Sequence, residues 1–186
     1  MTAPDHDDDA TRWALRARTG DRDALERFVR ATQRDVWRFV AHLADPGVAD
    51  DLAQETYARA LGSLPGFAGR SSARTWLLVI ARRVVVDQVR TARVRPRITS
   101  GAEWEREADR RRATPAFTGA VELHLLFDAL DPDRREAMVL TQVLGLPYAE
   151  AAAVVGCPVG TIRSRVARAR DDLIKAIGGH EATEVS

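Results

Sequence analysis

PYAEAAAVVGCPVGTIRSRVARARDDL, residues 147–173, reads as a helix-turn-helix, and the rest of the chain is organised around it. Pro147 suits the first position of a short helix, where a missing N–H costs nothing. Ala149 to Val155 follow as a helix of small residues that a second helix can approach closely. Gly156-Cys157-Pro158 breaks it, because glycine tolerates left-handed torsions and proline cannot continue a helix. A second helix starts near Val159. At ~100° per residue, Ile162, Val166, Ala169, Leu173 and Ile177 share one stripe. The opposite side carries Ser164, Ala167 and Arg168, flanked by Arg163, Arg165 and Arg170. An isolated charge run of this kind would be a solvated surface. Behind a Gly-x-Pro turn and a small-residue helix, it fits the DNA major groove instead. Arginine binds guanine bidentately, serine is adaptable, and alanine allows close approach or packs on a thymine methyl.

The totals narrow the class. A length of 186 residues allows one domain or two small ones, and 45% hydrophobic residues can build real cores. Net charge is only +1, so bulk charge announces no nucleic-acid partner. The charges are segregated along the chain, which is the more telling property. Lys175 is the only lysine among 28 basic residues. Arginine favours planar recognition of phosphate and bases, although a GC-rich genome produces the same bias. Cys157 stands alone, which excludes a disulfide framework and a cysteine metal cluster. His6, His42, His124 and His180 are scattered without ligand spacing, so no metal or other cofactor is expected. The acidic start is unlike a signal peptide. The apolar run around Leu77–Ala81 is far shorter than the ~20 residues of a membrane span. A cytoplasmic protein with no membrane partner is expected.

The periodicity predicts an all-α fold of two small helical domains, 11–95 and 120–178, joined by a flexible linker over 96–119. Residues 1–10 (MTAPDHDDDA) read as a disordered acidic tail and 179–186 as a polar one. Trp13 and Leu15 suggest a short first helix closed near Gly20. From about Asp23 to Ala44, Leu25, Phe28, Val29, Val36, Phe39, Val40 and Leu43 recur at helical spacing, with Asp23 and Glu26 resembling a capping pair. Asp45-Pro46-Gly47 ends that helix. Val48 to Leu64 is a further amphipathic helix, with Asp50 and Asp51 in its first turn. Ala53, Tyr57, Ala60, Leu61 and Leu64 are expected on its buried side, and Asp51, Gln54, Glu55 and Ala58 opposite, beside Arg59. A Pro/Gly loop with Phe67 and Arg70 follows. Ser71 or Ser72 then caps a long helix to about Arg95; its WLLVIA run is also compatible with a strand, but length, cap and arginine spacing favour helix. Leu77, Ile80, Ala81, Val84 and Gln88 would face inward. Val79, Arg82, Arg83, Val86, Arg90 and Arg93 would face outward, a strip that alone suits solvent, a membrane surface or nucleic acid. Beyond Pro96, residues 97–119 show little periodicity. Val121 to Leu130 and Asp133 to Leu144 are two more helices, completing a four-helix unit with the helix-turn-helix.

Three motifs occur in order: ADDLAQETYARAL; F-x-G-x-S-S-x-R-T-W-L with IARRVVVDQVR; and LDPDRREAMVLTQVLGLPYAEAAAVVGCPVGTIRSRVARARDDL. With them, about Ala24 to Leu173 resembles the extracytoplasmic-function (ECF) class of bacterial RNA polymerase sigma factors, of the sigma-2 plus sigma-4 type. The resemblance implies that the acidic helix docks on the clamp helices of the polymerase largest subunit, through Asp51, Gln54, Glu55 and Arg59. It implies that the loop at Phe67–Ser72 and the helix from Arg74 to Arg93 read the −10 element as single-stranded promoter DNA with a flipped base. Extrusion is feasible because stacking and edge contacts offset the few kcal/mol of unpairing. Phe67 and Arg70 would line that pocket, Arg82, Arg83, Val86 and Arg90 would face strand or phosphate, and Trp76 would position the helix from the core. In the duplex −35 element, Arg163, Ser164, Ala167 and Arg168 would face bases, with Tyr148, Thr161, Arg165 and Arg170 on phosphate. The linker around Thr99 to Phe117 would thread toward the RNA exit path. An anti-sigma protein is a further partner the resemblance allows. Two positions depart from the common pattern: Arg83 stands where asparagine is frequent, and Ala167 where a larger residue is.

Two rival readings are weaker. A stand-alone helix-turn-helix regulator would bind a palindromic operator as a dimer, leaving the acidic face of the second amphipathic helix without a purpose. An enzyme would need clustered carboxylates, a phosphate-cradling glycine loop or a nucleophile elbow. None is present in these residues, so the expectation is a non-enzyme.

Overall fold

The computed structural model describes the backbone of residues 4–94 and 127–184, with side chains over 7–91 and 127–176. The expected linker, 96–119, and most of the helix expected from Val121 lie outside the described residues. Four helices precede that gap: α1 (Pro4–Ala17), α2 (Arg22–Leu43), α3 (Ala49–Ser63) and α4 (Ala73–Val94). Three follow it: α5 (Pro132–Met138), α6 (Tyr148–Val155) and α7 (Val159–Glu184). Among the described residues there is no strand, so the fold is all-α and WLLVIA is helical.

The expectation of a disordered tail over residues 1–10 is corrected from Pro4 onward, because α1 begins there. Its aspartates suit the positive end of the helix dipole. Ala10, Ala14 and Ala17 recur at helical spacing and are 1%, 0% and 8% exposed, forming a small-residue stripe that lets α1 lie close on its neighbours. The α7 backbone stays helical to Glu184, through most of the expected polar tail.

α2 is capped by Asp21, not by the expected pair of Asp23 and Glu26: its carboxylate accepts from the Ala24 N–H at 2.9 Å. That bond, then the hydrogen bonds and charge of Arg16, holds the Asp21 carboxyl below the usual aspartate range. α2 buries Phe28, Thr32, Val36, Phe39 and Val40. Asp45 then opens a short turn over Pro46–Val48.

α3 keeps part of the expected stripe, with Ala60 and Leu64 buried and Ala53 and Tyr57 half-buried, but the buried side also takes in Ala49, Leu52 and Thr56, whereas Leu61 is 43% exposed. Thr56 is a residue that reads as polar. Its hydroxyl donates to the Leu52 carbonyl at 2.7 Å, so the side chain enters the core with its polar group satisfied.

α4 starts after Ser72, whose hydroxyl accepts from the Thr75 N–H at 3.1 Å. It buries Leu77, Leu78, Ile80, Ala81, Val84 and Val85, while Gln88, expected inside, is exposed. In the C-terminal half Asp131 caps α5, and the chain continues into a wide π turn over Val139–Val143. There the Leu144 N–H reaches the Val139 carbonyl at 2.9 Å. α6 ends at Gly156, whose φ of +76° is the left-handed turn a Cβ would oppose. Gly156 and Cys157 both donate to the Ala152 carbonyl, at 2.8 and 3.1 Å.

The two helical groups share one continuous hydrophobic core, with α4 packed against both. Phe28, Phe39, Leu77, Leu78, Leu140 and Ile162 are almost fully buried. Each such side chain contributes roughly 1.5–3 kcal/mol of transfer free energy. Polar ties cross the same seam. Arg74, 9% exposed, donates from Nε to Asp35 at 2.7 Å and from Nη2 to the Leu144 carbonyl at 2.6 Å. A guanidinium so nearly buried is tolerable because its fork meets both a carboxylate and a carbonyl. The Thr75 hydroxyl donates to Glu150 of α6 at 2.6 Å.

Candidate nucleic-acid interface

On α7 the first part of the expected apolar stripe is buried, with Ile162, Val166 and Ala169 each at most 1% exposed; Leu173 is half-buried, and the Ile177 side chain lies outside the described residues. Its opposite face presents Arg163, Ser164, Ala167 and Arg168 to solvent side by side. Neither Arg163 nor Arg168 forms an ion pair with another described residue. Ser164 donates to the Thr161 carbonyl at 2.9 Å, which leaves its lone pairs outward. The flanking arginines are engaged locally. Arg165 pairs with Asp133 at the start of α5, and Arg170 donates to the Gln142 side chain at 3.2 Å. Tyr148 and Thr161 are half-buried at the start of α6 and α7.

The loop before α4 is arranged differently from the expected pocket. Phe67 is 4% exposed and its ring packs on Trp76, with centroids 4.9 Å apart and a 42° tilt. Its side chain is therefore the loop's anchor in the core, not an open wall, because an aromatic ring beside Pro65 and Gly66 finds its burial against the adjacent helix. Trp76 sits half-buried against it. Arg70 is exposed. Gly69, with φ of +67°, makes the turn between Phe67 and Arg70.

The basic strip of α4 divides in two. Arg83, Val86 and Arg90 are exposed, joined by Val89, which the periodicity left unassigned. Arg82 is drawn across to α5, where Nε donates to Glu136 at 2.6 Å and Nη2 to its other oxygen at 3.3 Å. The expectation that Arg82 faces outward is thus corrected. Glu136, 7% exposed, is a buried carboxylate that needs a partner, and nothing in the local periodicity of α4 announces it.

On α3, Asp51, Gln54, Glu55 and Arg59 are all exposed and share one face. Arg59 donates to Glu55 at 2.7 Å and to Asp87 of α4 at 2.6 Å. These two hydrogen bonds, Asp87 first, raise its already high pKa. One residue of this face escaped the sequence reading. Trp37 of α2, 45% exposed, donates from its indole to Asp50 at 2.8 Å and borders a groove of about 470 Å³ that also touches Val29, Gln54 and Tyr57. A large aromatic off the buried stripe of α2 was the available signal. Tyr57 meets Thr32 at 2.8 Å, and burial pushes its phenol up to about 12.

Among the described residues no group of three His, Cys, Asp or Glu could hold a metal ion, and no helix is long and apolar enough to cross a membrane.

Comparison with known proteins follows the same division. Residues 28–95 match the family described as Sigma-70 region 2, and residues 120–173 match Sigma-70, region 4. The chain is 59% identical over 175 residues to the ECF RNA polymerase sigma factor SigC of Mycobacterium tuberculosis, covering 94% of this chain and 95% of that one. It is 37% identical over 125 residues to the ECF sigma factor EcfG of Rhodopseudomonas palustris, covering 67% and 68%. Among solved structures, CnrH in complex with the cytosolic domain of CnrY superposes with a TM-score of 0.69 at 25% identity, covering 91% and 98%. The sigma factor RpoE in complex with the anti-sigma factor NepR from Bartonella quintana superposes at 0.66 and 26% identity, covering 83% and 96%.

Proposed function

The chain belongs to the ECF family of RNA polymerase sigma factors, and from that premise we propose that it binds core polymerase, recognises −35 and −10 promoter elements, and promotes opening and initiation. The observation that carries the reading is the open quartet on α7. Four side chains of the right chemistry stand together, backed by the buried Ile162, Val166 and Ala169, in a chain that also matches region 2. Arg163 and Arg168 supply bidentate donors to base edges, while Ala167 gives the backbone room to enter the groove. Arg165, Arg170, Tyr148 and Thr161 set register through phosphates. Arg165 and Arg170 already have protein partners, so phosphate contact there exchanges one hydrogen bond for another.

Asp51, Gln54, Glu55 and Arg59 are assigned to the clamp helices of the polymerase largest subunit. Arg70, Arg83, Val86 and Arg90 are assigned to the opened −10 strand, with Phe67 supporting the pocket from beneath. Few aromatics line this face, so opening depends on well-matched promoter contacts more than on a broad stacking platform. An anti-sigma protein is the regulatory partner proposed, on the strength of the NepR complex of the B. quintana relative.

The test is run-off transcription with the purified chain and core polymerase on a genomic fragment library, with start sites mapped. Start sites preceded by two elements at fixed spacing are expected. Failure to associate with core, or recognition of a palindrome by the chain alone, overturns the reading.

A further inference from the structure

The loop that leads into α4 is held at three points by α1 and by Arg18, the residue that follows it, all ahead of the region 2 match starting at residue 28. At the loop's start, Arg18 donates from Nη1 to the Phe67 carbonyl at 2.9 Å. In its middle, Leu15 lies against Gly69, where a Cβ would come within 3.4 Å of the leucine Cδ2. At its end, the Thr11 hydroxyl accepts from the Ala73 N–H at 2.9 Å and donates to the Asp7 carbonyl at 2.8 Å. Helix N–H groups at a first turn are ordinarily capped by the residue just before the helix. Here Ser72 takes the Thr75 amide, and the Ala73 amide is met from a distant segment.

The Phe67 ring is fixed on Trp76, so the backbone between Phe67 and Ala73 decides where the exposed Arg70 points. One end of that backbone and the glycine within it are set by Thr11 and Leu15 of α1, and the other end by Arg18 just beyond it. The helix itself is a poor surface for nucleic acid, since Asp7, Asp8 and Asp9 repel phosphate.

We infer that α1 is the positioning element for base selection in the opened −10 strand. Thr11, Leu15 and Arg18 hold the Phe67–Ala73 backbone so that Arg70 meets an extruded base in one geometry. The inference rests on the reading of this loop as the −10 pocket. A recognition group loses discrimination when its support is loose, even while its charge and overall affinity persist.

The experiment uses the full chain bound to core polymerase. The probe is a non-template −10 oligonucleotide from a mapped start site, matched or carrying one altered base at the extruded position. The readout is the ratio of the two Kd values by fluorescence anisotropy. Thr11→Val and Arg18→Gln each lower this ratio about fivefold, the worth of one hydrogen bond. Thr11→Ser, which keeps the hydroxyl, preserves it. Duplex −35 binding and core affinity stay unchanged in all three. If Thr11→Val fails to fold, Arg18→Gln alters only an exposed side chain and carries the test alone. Arg70→Ala separates the two levels. Should it leave the ratio intact, the reading of the loop fails and the inference with it. Should Arg70→Ala lower the ratio while Thr11→Val and Arg18→Gln do not, the inference alone is overturned. Equal weakening of matched and mismatched binding by the α1 variants also overturns it, leaving α1 a merely structural support.

Discussion

α4 and α7 both carry arginines at helical spacing, yet the fold treats them in opposite ways. On α7 the arginines opposite the buried stripe, Arg163 and Arg168, stay open, and only flanking ones are tied to neighbours. On α4, Arg74 and Arg82 are drawn into the seam between the two helical groups, and among the described side chains Arg83, Val86, Val89 and Arg90 are the exposed part of the strip. The difference comes from what each helix packs against. α7 lies at the edge of its group, with one apolar side covered. α4 is covered by helices of both groups, and carboxylates and carbonyls on those neighbours select which arginines turn inward. A basic strip therefore predicts a nucleic-acid face only on the side of a helix that nothing else covers.

The comparison can be broken most directly at the open face. Arg168→Ala is expected to weaken holoenzyme binding to a −35 duplex by about 2 kcal/mol, the worth of a bidentate base contact, and to relax preference at one base pair. Core association, followed by gel filtration, should not change. Glu55→Arg is the converse: core affinity falls about tenfold, the scale of a reversed charge at an interface rim, while duplex recognition persists. If each variant produced the other's defect, the division of surfaces would be wrong.

The engaged face is sharpened by a stability measurement. Arg82→Met strands the buried Glu136 carboxylate and should cost about 1.5 kcal/mol in urea unfolding. Arg163→Met, on the open face, should stay within about 0.5 kcal/mol of the parent. Equal costs would mean that the two arginines are equivalent after all.

The smallest effect lies away from both faces. Asp21→Ala removes the α2 cap and should lower Tm by about 2–4 °C near neutral pH. Because the folded-state carboxyl is held below its ordinary value, this contribution is full above the unfolded aspartate pKa. It is lost as pH falls through the lower folded value. The Tm difference from the parent should therefore close in strongly acidic buffer.

Much of the chain was legible without coordinates where burial follows a single period. The stripe of Ile162, Val166 and Ala169, the Gly156 turn and the cap at Ser72 are local properties, and they stand as expected. The misreadings share a cause. Thr56 reads as polar but satisfies itself on its own helix, so periodicity alone leaves it off the buried side of α3. Residues 4–10 looked like a solvated tail because three aspartates in a row, Asp7–Asp9, outweighed one alanine in the average. The helix is held by Ala10, Ala14 and Ala17, whose close packing has no hydrophobic signature of its own. Phe67 was placed in an open pocket because a loop aromatic gives no sign of the Trp76 ring beneath it.

The all-α class, the helix-turn-helix and the family were readable from the residues alone, since helical period, turn residues and motif order are written along the chain. Which polar side chains stay available was settled by packing between distant segments: Arg82 bound to Glu136, Arg74 to Asp35 and the Leu144 carbonyl, and the loop before α4 pinned by Thr11 and Arg18. Each of those partners lies 39 to 70 residues away along the chain. A charged group's fate depends on the nearest opposite charge in space, and no periodicity encodes that.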